Sequence, residues 1–112
     1  MRFLSDQIIV NQPMTANIAS GAYDLNQMAM YALQAVYTGS PNGTILVQAS
    51  CDNVPLASSV VNWTTIANSS VNISSAGSSS WNYSLIGYRW VQVVYTFSSG
   101  SGTLNVTLNA KG

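Results

Sequence analysis

Residues 103–110 read Thr-Leu-Asn-Val-Thr-Leu-Asn-Ala, so Leu104, Val106, Leu108 and Ala110 alternate strictly with polar neighbours. A period of two collects the apolar side chains on one face of an extended strand, a repeat that no helix can bury. The preceding segment, residues 88–97, is dense in aromatic and β-branched residues, with Val91, Val93, Tyr95 and Phe97 on one face. Its other face carries Tyr88, Trp90 and Val94, so both sides of this strand have apolar side chains to cover. Between the two lies Ser-Ser-Gly-Ser-Gly at 98–102, which predicts a short hairpin loop and antiparallel pairing of the flanking strands.

The same grammar extends upstream. Residues 30–38 and 44–50 read as strands around Ser40-Pro41-Asn42-Gly43, a second predicted hairpin turn. The stretch 24–35 is rich in Met, Ala, Leu and Gln, all good helix formers, but Tyr31, Val36, Tyr37 and the turn that follows favour a strand. Residues 60–66 and 71–73 predict short strands separated by Asn68-Ser69-Ser70, with 76–80 as a Ser/Gly loop. Residues 8–10 and 14–18 predict edge strands around Pro13. The fold class is therefore all-β, an antiparallel β-sandwich or jelly-roll of about seven or eight short strands. Its core is expected at Val91, Val93, Tyr95, Leu104, Val106 and Leu108. At 112 residues the chain holds one core. Residues 1–20 form an N-terminal arm or edge strands, the arm either frayed or exchanged with a neighbouring subunit, and 21–112 form the sandwich domain.

Composition then removes whole classes of function. Arg2, Arg89 and Lys111 face Asp6, Asp24 and Asp52 in a net charge of zero, and only 5% of residues are charged. Three scattered cations cannot supply the counterion release that drives nucleic-acid binding, and they are too few to hold an anionic membrane surface. Solubility rests instead on 17 Ser, 11 Asn and 8 Thr. Near-zero charge also removes the repulsion that keeps copies apart, which predicts a homo-oligomer or a subunit bound to a partner. With no His and no Glu, few groups titrate near neutrality and no catalytic residues are assigned: the chain is not read as an enzyme.

No cofactor or metal is called. Asp24 and Asp52 sit at strand boundaries, where Asp fixes turns through local hydrogen bonds; Asp52-Asn53 lacks the spacing of a calcium loop. Cys51, the single cysteine, cannot form an intrachain disulfide and reads as a buried inert thiol. The first residues show no secretory h-region, and no run of 18 apolar residues occurs, so neither a signal peptide nor a membrane span is expected. Six Asn-X-Ser/Thr triplets follow from the abundance of those residues. Trp63, Trp81 and Tyr83, set among Asn and Ser, are the candidate binding residues for a glycan or a partner. Aromatic faces can stack on sugar rings while neutral side chains bond the hydroxyls, although the same rings equally well fill a core or an interface.

Several segments together resemble a known group: Gln34-Ala-Val-Tyr-Thr-Gly39, Gly43-Thr44, Gln48-Ala-Ser-Cys-Asp52, Trp63-Thr64, Gly87-Tyr-Arg-Trp-Val-Gln-Val-Val-Tyr-Thr96, Ser99-Gly-Ser-Gly-Thr-Leu104 and Lys111-Gly112. Over residues 28 to 112 the chain is similar to small β-sandwich structural proteins of tailed bacteriophages and prophages. The resemblance implies a virion component made in the host cytoplasm, and it carries over no functional residue. The leading expectation is a capsid decoration or cement subunit that binds phage coat protein and self-associates, with a trimer favoured at symmetry-related junctions. The alternative is a carbohydrate-binding module or a tail- or fibre-associated host-recognition domain.

Overall fold

The computed structural model describes residues 3–25, 28–84 and 88–112. Met1, Arg2 and Gly87, used in the sequence reading, lie outside them. Eight strands are present among the described residues: β1 (Phe3–Pro13), β2 (Ile18–Ala19), β3 (Tyr23–Asp24), β4 (Met30–Ser50), β5 (Thr64–Thr65), β6 (Val71–Ile73), β7 (Gly77–Ser84) and β8 (Trp90–Lys111). All pairings are antiparallel. The all-β sandwich expected from the sequence is the fold, but its two predicted hairpins are not there.

β4 is one strand of 21 residues and β8 one of 22, and they pair with each other from Met30 opposite Lys111 to Ser50 opposite Trp90. Fully extended, either strand would reach roughly 70 Å. The whole molecule is 39 Å along its longest axis, so the ladder folds over on itself. Beyond the fold, 30–38 and 103–111 lie centrally in one half-sheet, flanked by β1 and β7. Residues 43–50 and 90–97 are central in the other, flanked by β2 and β3 on one side and β5 and β6 on the other.

Thus Ser40-Pro41-Asn42-Gly43 and 98–102 shape a corner instead of a reversal. Their turn chemistry is the same in both uses: Gly39 and Gly100 take φ values of +82° and +85°, which bend a strand as readily as they close one. Partner choice is the long-range term that local chemistry does not contain. The segment 76–80, expected as a loop, begins β7, and 14–18 contributes only Ile18 to a strand.

The corner also explains a change of phase in β8. Val91, Val93 and Tyr95 point inward at odd positions, whereas Leu104, Val106, Leu108 and Ala110 point inward at even ones. β4 keeps odd positions inward throughout, from Tyr31, Leu33, Ala35 and Tyr37 to Ile45, Val47 and Ala49. A register shift reconciles the two: Asn42 lies opposite Ser99 and Gly43 opposite Phe97, so Ser98 is an extra residue. One extra residue in one strand switches the inward parity of everything beyond it. The six expected core residues are all fully buried, joined by Met14, Leu25, Ile73 and Trp81. From the N-terminal segment, Ile8 and Ile9 enter the same core while β1 lies along β8 of its own chain.

Gly100 tests the corner directly. A Cβ there would overlap the Ser40 carbonyl oxygen, whereas Gly21, also left-handed at φ +81°, has open space around its Cα. Gly21→Ala should cost only the left-handed backbone penalty, about 1–2 kcal/mol. Gly100→Ala should lower stability by clearly more, or prevent folding. Urea unfolding midpoints of the two variants check this.

Candidate functional site

Strand alternation decides where each candidate aromatic points. Trp81 and Tyr83 are two apart on β7 and share its inward face. Trp81 is only 7% exposed, and its indole N–H donates to the Ser69 carbonyl at 2.9 Å. It is a core side chain with little ring face left for a ligand. Ser69 is itself buried beside β4, its hydroxyl accepting from the Val47 amide and donating to the Val47 carbonyl, both at 3.2 Å. Tyr83 is half-buried and packs on Tyr31 across the ladder, with ring centroids 5.1 Å apart and planes tilted by 47°. Burial raises the pKa of both phenols, that of Tyr31 further raised by Tyr83 and Tyr88, so both remain protonated and neutral.

Trp63 is half-buried and precedes β5, which pairs with Gln48 and Ala49 in the other half-sheet. Tyr83 pairs with Tyr31 near the start of β4. The structure therefore does not gather Trp63, Trp81 and Tyr83 into one platform.

Two other features occupy these ends of the ladder. Near Trp63, Asp52 organises the loop that leaves β4. Its carboxylate accepts from the Val61 amide at 2.8 Å, the Asn62 amide at 3.0 Å and the Asn62 side-chain amide at 2.9 Å. The Asp52 carbonyl accepts from the Trp90 indole N–H at 3.0 Å. These donors hold its pKa below the ordinary carboxylate value, the Asn62 and Val61 amides first among them. Arg89 lies alongside, its guanidinium 4.8 Å from the centre of the Trp90 ring and its Nε 3.5 Å from Asp24. Cys51, expected to be buried, is exposed, because β4 ends at Ser50 and the next residue has left the sheet. No group of three or more His, Cys, Asp or Glu side chains is clustered among the described residues.

At the other end, the outer face of the first half-sheet carries an open depression of about 270 Å³. Ala32 lies opposite both Asn82 of β7 and Asn109 of β8. Its methyl group, with Met30 beside it, forms a low apolar floor between two exposed amides, and Lys111 stands at the rim. Sequence reasoning missed this feature because Asn82 and Asn109 become neighbours of one alanine only through β4. The outward phase of Asn109 was legible in the alternation at 103–110, but β7 was not read as a strand and the shared partner was not visible.

No family model matches the chain, and no curated protein matches its sequence. Solved structures do. The SPBc2 prophage-derived protein YomS superposes with a TM-score of 0.59 at 13% identity, over 96% of this chain and 93% of its own. The coat protein of Tobacco streak virus superposes at 0.50 with 10% identity, over 98% of this chain and 86% of that one. VP2 of the infectious bursal disease virus subviral particle gives 0.53 at 8% identity, with 97% of this chain matched to 32% of the other. The likeness is one of fold. It matches the two-halved sandwich described above to architectures found in virus coats, and at these identities it transfers no site.

The Asp52 arrangement makes a stability prediction with a definite sign. A carboxyl whose folded pKa lies below its unfolded value stabilises the fold fully above the unfolded value and loses that contribution as pH falls through the folded one. Stability should therefore decline on acidification below the ordinary value of 3.8, and Asp52→Asn should shrink that component of the decline while lowering stability at pH 7. Thermal melts of both proteins between pH 7 and pH 2 measure it.

Proposed function

We propose that this chain is a non-enzymatic structural subunit of a bacteriophage particle, a decoration or cement protein that binds coat protein and associates with its own copies. The observation that carries the reading is the end-to-end likeness of fold to a prophage protein, alongside viral coat proteins with the same kind of sandwich. The chemistry of the chain agrees with it. Titratable groups are few, and Asp52 is engaged in holding its own loop. The outer surface is dominated by Ser, Thr and Asn, which stay neutral across the salt and pH range a particle meets outside its host. Leu56 and Val61, exposed in the loop after β4, offer apolar contact points of the kind an interface covers.

A second reading, carbohydrate binding for host recognition, is favoured by the depression over Ala32. Its size suits one sugar ring, its floor is apolar, and the Asn82 and Asn109 amides can both donate to and accept from hydroxyls. Tyr83 packs on Tyr31 on the inward face, behind the floor of the depression, and Trp63 would belong to a separate contact.

The two readings are tested in parallel. Purified protein mixed with virions of the phage whose genome carries it should co-sediment saturably and appear at one class of position on the particle by electron microscopy. Protein that stays in the supernatant and is absent from purified virions overturns the structural reading. On a broad glycan array, the second reading requires binding that Asn109→Ala reduces at least tenfold. A blank array, or binding lost with Trp63→Ala but not with Asn109→Ala, removes the depression as the sugar site.

A further inference from the structure

The two edges of the 30–38/103–111 half-sheet are built differently. β1, on one edge, is interrupted by register shifts between Gln7 and Ile9 and between Ile9 and Gln12. It also carries the charge of Asp6, a left-handed Asn11 at φ +48°, and a terminal Pro13. Each of these is a device that stops an edge from templating another strand. β7, on the opposite edge, has none of them. Its eight residues, Gly-Ser-Ser-Ser-Trp-Asn-Tyr-Ser, pair with β4 from Tyr37 back to Met30 in unbroken register. They include no charge and no proline, and Ser78, Ser80 and Asn82 are exposed. Among the described residues β4 is the only strand hydrogen-bonded to β7, so its outward row of N–H and C=O groups faces no further strand.

We infer that β7 is the surface through which two copies of this chain pair, antiparallel about a twofold axis, to join their half-sheets into one continuous sheet. The inference deepens the self-association proposed above and rests on that part of the reading. A second copy is the favoured occupant because an isologous contact requires an edge that complements itself. An uncharged β7 does so, since antiparallel self-pairing sets no like charges opposite one another. The net charge of zero adds no long-range repulsion between copies. A head-to-tail ring built through β7 within this half-sheet would need β1 as the complementary edge, and β1 is the interrupted one.

Alternation restricts the register further. A continuous sheet keeps inward residues on one face, so residues pair only with residues of the same phase. In the registers that keep most of β7 paired, Ser80 lies opposite Ser80 or Asn82 of the second copy.

Light scattering and sedimentation velocity on the full chain test this. The wild type should have twice the 11.9 kDa chain mass, and Ser80→Lys combined with Asn82→Lys should halve that mass while retaining cooperative thermal unfolding. Gln7→Lys on the β1 edge should leave the pair intact. A wild type that is monomeric or trimeric, or a pair that survives both lysines, overturns the inference. Should the double variant not fold, amide exchange of the wild type decides: β7 amides between Ser78 and Tyr83 must slow as concentration rises, and unchanged exchange overturns it. A pair that ignores phage particles would remove the virion reading and leave this one standing; a monomer that binds particles would do the reverse.

Discussion

The antiparallel ladder between β4 and β8 is the interaction on which the rest of the molecule depends. It supplies the two central strands of both half-sheets, so every other strand among the described residues gains its place by pairing with one of the two. β1, β2 and β3 attach to β8, while β5, β6 and β7 attach to β4. Such a ladder joins residues far apart in sequence: Met30 meets Lys111 at one end and Ser50 meets Trp90 at the other. The entropic cost of closing these loops precedes the gain from pairing, which makes this a topology of slow, cooperative assembly. The corner then turns a flat ladder into a sandwich, and the backbones approach so closely there that a Cβ on Gly100 or Gly102 would overlap a carbonyl of β4.

How much of this was legible in the sequence follows from which forces are local. Alternation at 103–110 and the apolar faces of 88–97 are properties of single strands, and they located the core residues at Val91, Val93, Tyr95, Leu104, Val106 and Leu108. The change of parity between Tyr95 and Leu104 was also visible, and two strands joined by a loop explained it as well as one strand with an extra residue. Ser98 opposite the Asn42–Gly43 step resolves that choice only because β4 keeps its own phase. The site was less legible for the same reason. Trp81 and Tyr83 fell in no strand of the sequence reading, and the face on which they lie is set by the pairing of β7 with β4. The dip over Ala32 needs three strands from distant parts of the chain.

The scarcity of charge has structural consequences beyond solubility. With so few ions, the polar cohesion of the outer surface falls to neutral groups arranged across the ladder. The Gln92 side-chain amide donates to Gln48 at 2.7 Å, and Gln48 donates to Thr65 at 3.3 Å, a row that crosses β8, β4 and β5. Asn17 caps the Phe97 amide and Ser20 the Val93 amide, tying the segment between β1 and β3 to β8. Such bonds contribute about 0.5–1.5 kcal/mol each and are indifferent to salt. The charged exceptions do specific jobs: Asp52 satisfies amide donors in a loop, and Arg89 covers the Trp90 ring beside Asp24.

The same economy governs how the molecule can meet a partner. A long central ladder confines unsatisfied backbone groups to the two flanks, and the flank carrying β1 is broken by bulges and closed by proline. Among the described residues the first half-sheet is therefore asymmetric, with one uninterrupted edge at β7 and a shallow outer face over Ala32, while the loop after β4 exposes apolar tips. A subunit of the kind proposed above, adding to a particle without polymerising, would need that asymmetry. Two competent edges of complementary form would propagate end to end without limit, whereas one self-complementary edge is consumed when two copies meet. In the assembly proposed above, the outer faces and loops of the pair are the surfaces that would meet coat protein.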